Sequence, residues 1–184
     1  MPKLTFIRHG ETTYNKEGRF TGQDDAHLTE KGILDAKAKS KEIKDDFDYV
    51  YISPLSRTKE TLENILPGRK AIVDARITET CLGEWQGQIK NEIDPDLLKT
   101  FREGKYTRKG AETRDEVAKR VCNFVEELFD KYGEKDKIFI VTHAGIIRVI
   151  RLYFFEEYDS NVENLKTVTI DEKNYNYYLK NNRR

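Results

Sequence analysis

The run Ile138-Phe139-Ile140-Val141 constrains the fold more than any other stretch of the chain. Four consecutive apolar residues have no polar face to offer water, so as a strand they must be covered on both sides. That is the place of a central strand in a parallel sheet. Parallel neighbours are reached only through crossovers, usually helices, and the surrounding sequence supplies them. From Thr113, the residues Val117, Val121, Phe124, Val125, Leu128 and Phe129 fall on one helical face, closed by Gly133. Cys122 sits on the buried side of the same helix. Beyond the apolar run, another helix extends from Ala144 to about Leu152.

The same alternation governs the rest of the chain. Leu4-Thr5-Phe6-Ile7 reads as a short buried strand. Thr29 has the chemistry of an N-cap for a helix running through Ile33, Ala36, Ala38 and Ile43. Tyr49-Val50-Tyr51-Ile52 is the second strand. Ser53-Pro54-Leu55-Ser56 breaks it, and a helix starts near Ser56 and runs towards Leu66, where Pro67-Gly68 stops it. Ala71-Ile72-Val73 forms a third strand, the apolar run a fourth. Residues 74–112 are less regular. Thr167-Val168-Thr169-Ile170 and Tyr175-Asn176-Tyr177-Tyr178-Leu179 flank Asp171-Glu172-Lys173-Asn174, a hairpin pattern. The tail Lys180 to Arg184 reads as a short frayed end. Alternating strands and helices predict a layered α/β fold with a mostly parallel sheet, in one domain over residues 1–184.

Charge narrows the function. The 184 residues carry 33 basic and 33 acidic side chains, which argues against a nucleic-acid binder, since that would show a basic face or tail. Only Cys81 and Cys122 are cysteines, too few for a disulfide framework. No apolar run approaches the roughly 18–20 residues of a membrane span, and the N-terminus enters a strand with no secretory core. A soluble, cytoplasmic protein with no membrane partner is expected; a homodimer stays open.

In parallel sheets, ligands bind beyond the carboxyl ends of strands. His9 follows the first strand by one residue, and His143 follows the fourth after Val141-Thr142. Phosphoryl transfer without a metal needs a nucleophile, cationic donors for the oxygens and an acid for the leaving group. A neutral imidazole can be the nucleophile. Arginine suits phosphate because its planar fork stays charged and donates two parallel hydrogen bonds. Arg8 adjoins His9, and Arg57 lies in the first turn of a helix that follows a strand. Ala144 and Gly145 leave backbone N–H groups open at a helix start. The three histidines lack paired ligand spacing, so no metal site is expected; His27 reads as a surface residue.

These segments resemble the histidine phosphatase superfamily, the phosphoglycerate mutase-like family. The resemblance rests on Ile7-Arg8-His9-Gly10-Glu11-Thr12 with Asn15, Arg19-Phe20-Thr21-Gly22 through Leu28-Thr29-Glu30-Lys31-Gly32, Ser53 to Thr61, Glu79 with Gly83, Trp85 and Gly87, and Val141 to Arg148, in the family's order over nearly the whole chain. It implies a three-layer αβα sandwich. It implies that His9 is the phosphorylated nucleophile, and that Arg8, Arg57 and His143 bind the phosphoryl oxygens. Glu79 becomes the general acid and then the base, with Glu84 as its competitor. Asn15 becomes a further phosphate donor, and Thr21, Gly22 and Ala144 lie near substrate through backbone groups. No cofactor is implied. The family's usual second glutamate is Gln86 here, and Glu11 reads as a supporting residue.

The resemblance leaves activities open. A phosphatase passes the phosphoryl group to water; a cofactor-dependent phosphoglycerate mutase returns it to a hydroxyl. Thr80, Cys81 and Leu82 stand where mutases carry Arg and Tyr contacts, and the chain lacks room for their long insertion. Both departures favour a phosphatase acting on a small phosphorylated metabolite such as a sugar phosphate, phosphoglycerate or α-ribazole phosphate. Arg19-Phe20-Thr21-Gly22 looks mutase-like and keeps that alternative open. A non-catalytic binding or regulatory protein is disfavoured because the whole catalytic set is present. The cluster Arg102, Lys105, Arg108 and Lys109 reads as a solvated face, with contact to a second substrate charge as the alternative.

Overall fold

A computed structural model describes residues 1–102, 109–155, 157 and 161–182, without the side chains of residues 101 and 102. Its centre is a five-stranded sheet of β1 (Lys3–Arg8), β2 (Tyr49–Ile52), β3 (Ile72–Val73), β4 (Lys137–Thr142) and β5 (Thr167–Ile170), ordered β3-β2-β4-β1-β5. The first four run parallel, and β5 pairs antiparallel with β1 at the edge. The apolar run is therefore central, between β2 and β1, as its composition demands.

Side chains alternate across the sheet. Leu4, Phe6, Ile138 and Ile140 enter one core beneath α5 (Arg114–Lys131), α6 (Ala144–Phe155) and α7 (Glu172–Asn182). Ile7, Phe139 and Val141 enter the other, beneath α2 (Glu30–Ser40) and α3 (Ser56–Ile65). That is the expected three-layer sandwich. Thr29 caps α2 by accepting from Gly32 N, and Thr113 with Glu116 forms a reciprocal capping box on α5. A short α1 (Thr13–Lys16) follows β1. The irregular stretch contains three single 3-10 turns and α4 (Pro95–Arg102), which the sequence reading did not anticipate. No helix among the described residues is long and apolar enough to cross a membrane.

The C-terminal hairpin is a correction. Residues 172–182 form α7, and Asp171 with Asn174, read as a turn, begins it: Asn174 N donates to Asp171 Oδ1 and Asp171 N to Asn174 Oδ1. Tyr175 and Tyr178, three apart, share its buried face; they stack on Phe129 and Phe154 at 3.9 and 4.5 Å between ring centroids. The helical spacing that buries two rings overrides the alternation that suggested a strand. Lys180 belongs to this helix rather than to a frayed end, while residues 183 and 184 lie outside the described residues.

Candidate active site

The ends of β1, β4 and β2 lie side by side, and each delivers a polar residue. The hydrogen-bond ladder continues past the strands: His9 N donates to Thr142 O at 2.9 Å and Ser53 N to Val141 O at 3.2 Å. Both histidines are thus placed by backbone, and their rings meet edge to face with centroids 5.2 Å apart. His9 and His143 are buried, and burial, reinforced first by the nearby Arg57 charge, holds both well below the usual histidine range. Both rings are neutral at pH 7.

The hydrogen bonds also set the tautomers. His9 Nδ1 lies 2.7 Å from Gly10 O, which can only accept, so Nδ1 carries the hydrogen and Nε2 keeps its lone pair. His143 Nδ1 accepts from Arg57 Nε at 3.2 Å, and Nε2 donates to Ser53 Oγ at 2.8 Å. Both ring nitrogens of His143 are therefore engaged with protein. In this arrangement it orients Arg57.

Arg57, fully buried, projects from the first turn of α3. It donates to Asp24 O through Nη1 and to Gly22 O through Nη2, each at 2.7 Å. Gly22 thus contributes its carbonyl to Arg57, and Thr21 O accepts from Asp24 N in the same loop. Asp25 closes the arrangement by taking Ser56 N and Oγ at the start of α3. Burial lowers both arginines, Arg8 to about 10, and the Glu79 carboxylate opposes the shift at each. Arg8 remains charged at neutral pH. Its Nη1 donates to Val162 O and its Nη2 to Asn15 Oδ1 at 3.4 Å, while Nε is buried without a protein acceptor.

Asn15 Oδ1 also accepts from Thr12 N at 3.2 Å and from Asn164 Nδ2 at 3.3 Å. Three donors on one oxygen leave the Nδ2 end of this carboxamide for a ligand. Asn164 further donates to His9 O at 2.9 Å, and its neighbour Leu165 holds φ at 59°, a left-handed conformation costly for a side chain of its kind. Sequence reasoning missed Asn164 altogether. No motif marks it, because it reaches the site only through the pairing of residues 165 and 166 with Arg8.

Glu79 meets the start of α6. Its Oε1 accepts from Thr80 N at 2.9 Å and Gly145 N at 3.1 Å. The Gly145 N–H expected to be open is thus taken by Glu79. A Cβ on Gly145 would lie 2.2 Å from that carboxylate oxygen, so glycine is what lets the carboxylate sit on this N–H. Arg120, on α5, fixes the backbone leading to Glu79 by donating to the carbonyls of Arg76, Thr78 and Glu79, and pairs with Glu112 at 2.8 Å. Ala144 is buried beside Gly145. Glu84 is exposed on a 3-10 turn, and Glu11 Oε1 accepts from Thr29 Oγ1, a supporting contact to α2. Trp85 packs against Phe20, and His27 pairs with Glu60 at the surface. Among the described residues no group of three or more His, Cys, Asp or Glu could hold a metal. Lys105 and Arg108 of the basic cluster lie outside the described residues, as does the Arg102 side chain.

Comparison with known proteins agrees with this geometry. The Histidine phosphatase superfamily (branch 1) matches residues 4–176. The putative phosphoserine phosphatase 2 of Hydrogenobacter thermophilus is 30% identical over 158 residues, covering 82% of this chain and 77% of that one. A mycobacterial glucosyl-3-phosphoglycerate phosphatase, solved in complex with VO3, superposes with a TM-score of 0.81 at 29% identity, over 92% of each chain. A mutant phosphoserine phosphatase of Entamoeba histolytica, solved with phosphoserine, gives 0.82 at 27% identity, over 92% of this chain and 90% of that one. The chain belongs to the histidine phosphatase superfamily and is a phosphatase of its phosphoglycerate mutase-like fold.

Proposed function

We propose that the protein hydrolyses small phosphomonoesters through a phosphohistidine on His9, without a metal. The observation that carries this is the His9 tautomer: Nδ1–H is bound to Gly10 O, and a lone pair is left on Nε2 of a buried, neutral ring. In this reading Nε2 attacks phosphorus as the ester oxygen leaves. Arg8, Arg57 and Asn15 Nδ2 take the charge on the phosphoryl oxygens, a task for preorganised donors in a site shielded from water. His143 holds the Arg57 fork in plane. Glu79 protonates the leaving oxygen, then removes a proton from the water that cleaves the N–P bond, returning His9 to its neutral form.

Relatives whose names carry phosphoserine and glucosyl-3-phosphoglycerate support a metabolite that bears a carboxylate beside its phosphate. None of these relatives is named a mutase, and nothing in the site favours that alternative. A cytoplasmic setting fits the free cysteines.

Hydrolysis of p-nitrophenyl phosphate in EDTA between pH 5 and 8 tests the reading. Turnover that survives chelation and is blocked by vanadate is expected. Folded protein without turnover, or activity lost to EDTA and restored by a divalent ion, overturns it. A screen including phosphoserine, and 3-phosphoglycerate with and without 2,3-bisphosphoglycerate, then separates phosphatase from mutase.

A further inference from the structure

Gln86, the amide where the family usually carries a carboxylate, sits at a junction of site-holding contacts. Its Oε1 accepts from Gln23 N at 3.0 Å and Leu82 N at 3.1 Å, and its Nε2 donates to Asp24 Oδ1 at 2.9 Å. The side chain occupies the space beside Gly22: a Cβ there would lie 2.5 Å from Gln86 Oε1, and φ at Gly22 is +52°. The residues that Gln86 grips are those that grip the catalytic set. Gly22 O and Asp24 O hold the Arg57 fork, and Gln23 Nε2 donates to Glu79 O at 3.0 Å.

We propose that Gln86 is a positioning residue, a clasp that sets Arg57 and Glu79 relative to one another by tying residues 22–24 to the acid loop. The clasp needs an amide. One end must accept from two N–H groups while the other donates to a carboxylate, which a carboxamide does and an ionised glutamate does not. A glutamate could still accept the N–H groups, but its second oxygen would face Asp24 Oδ1 at hydrogen-bond distance, two like charges in contact.

Reversing the polarity of the clasp tests this. Gln86→Glu breaks the bond; Asp24→Asn alone keeps it, because its Oδ1 still accepts from Gln86 Nε2; the double variant Asp24→Asn/Gln86→Glu restores it with the donor on the other side. Gln86→Glu is expected to lower kcat on p-nitrophenyl phosphate by roughly tenfold, with a smaller change in KM, Asp24→Asn to cost less, and the double variant to recover to within about threefold. The kinetic readout rests on the phosphatase reading, so solvent exchange of the Arg57 Nε–H, followed by NMR, is measured in parallel. Exchange should quicken in Gln86→Glu and slow again in the double, whether or not the protein turns over. Absent wild-type turnover with this exchange pattern intact would refute the phosphatase reading alone. If Gln86→Glu fails to fold, Gln86→Leu replaces it as the single, and a folded double variant is itself the rescue. A double variant no better than Gln86→Glu, or Gln86→Glu with wild-type kcat and Arg57 exchange, overturns the clasp.

Discussion

The wall that carries His9 and His143 is continuous with the sheet, whereas the wall that carries Glu79 and grips the Arg57 fork is tied by side chains. On the first, His9 N and Ser53 N extend the ladder of parallel strands, and His9, Ser53, Thr142 and His143 are buried. On the second, residues 22–24 and 79–86 have no ladder between them. Gln23 and Gln86 bridge them instead, and Arg120, paired with Glu112, ties the acid loop to α5. A nucleophile must not move, and cooperative backbone pairing in a central strand holds it rigidly. An acid that must serve two successive steps is placed by contacts that can be tuned one at a time.

This contrast can be broken in several ways. Arg57→Ala removes the cation that bridges both walls and leaves the His143 Nδ1 acceptor unpaired. It should lower kcat/KM by about 2–4 kcal/mol, the cost of losing an oxyanion donor, and a near-normal rate would displace Arg57 from the site. Gly145→Ala attacks the second wall alone. The new methyl and the Glu79 carboxylate cannot share their space, so kcat for poor leaving groups should fall by roughly tenfold, or about 1.4 kcal/mol. Esters of acidic phenols, which need little protonation, should be hit less; equal losses for both would remove Glu79 from the role of acid.

Asn164→Ala probes the first wall from behind. It removes the donors to His9 O and Asn15 Oδ1 and should cost about 1 kcal/mol in kcat/KM, the usual worth of such a bond. Combined with Asn15→Ala it should cost less than the two single losses together, since only the bond to His9 O is then left to lose. Full additivity would show that Asn164 does not act through Asn15.

The smallest effect is on stability. His9 and His143 are held neutral below the usual histidine range, so the unfolded chain binds protons that the folded one refuses. Their contribution is therefore intact above about pH 6.5 and is lost progressively as pH falls from there towards the lowered values of the folded state. Exposed His27, raised by Glu60, works in the opposite sense. Urea unfolding should show lower stability at pH 5 than at pH 7, with a shallower decline in His143→Gln. An unchanged slope in that variant would mean the proton is taken up elsewhere.

Much of the first wall was legible in the sequence, because a strand that ends in a histidine announces both its placement and its chemistry. Arg57 was legible from its place just after a strand and a Ser-Pro break. The second wall was legible only through resemblance. Gln23, Arg120 and Asn164 act through carbonyls and amides far away in sequence, and no local pattern encodes which backbone group a side chain will meet. The expected hairpin failed for a related reason. Asp171 and Asn174 serve a turn or a helix start equally well, and the choice was made by Phe129 and Phe154, which lie distant in the chain.

Rapid-quench trapping with a 32P-labelled phosphomonoester shows whether His9 Nε2 is the nucleophile. The label should be lost in acid, stable in base, and confined to the peptide containing His9; His9→Ala protein should carry none and turn over nothing. Label on another residue, or steady turnover by His9→Ala, would contradict that role.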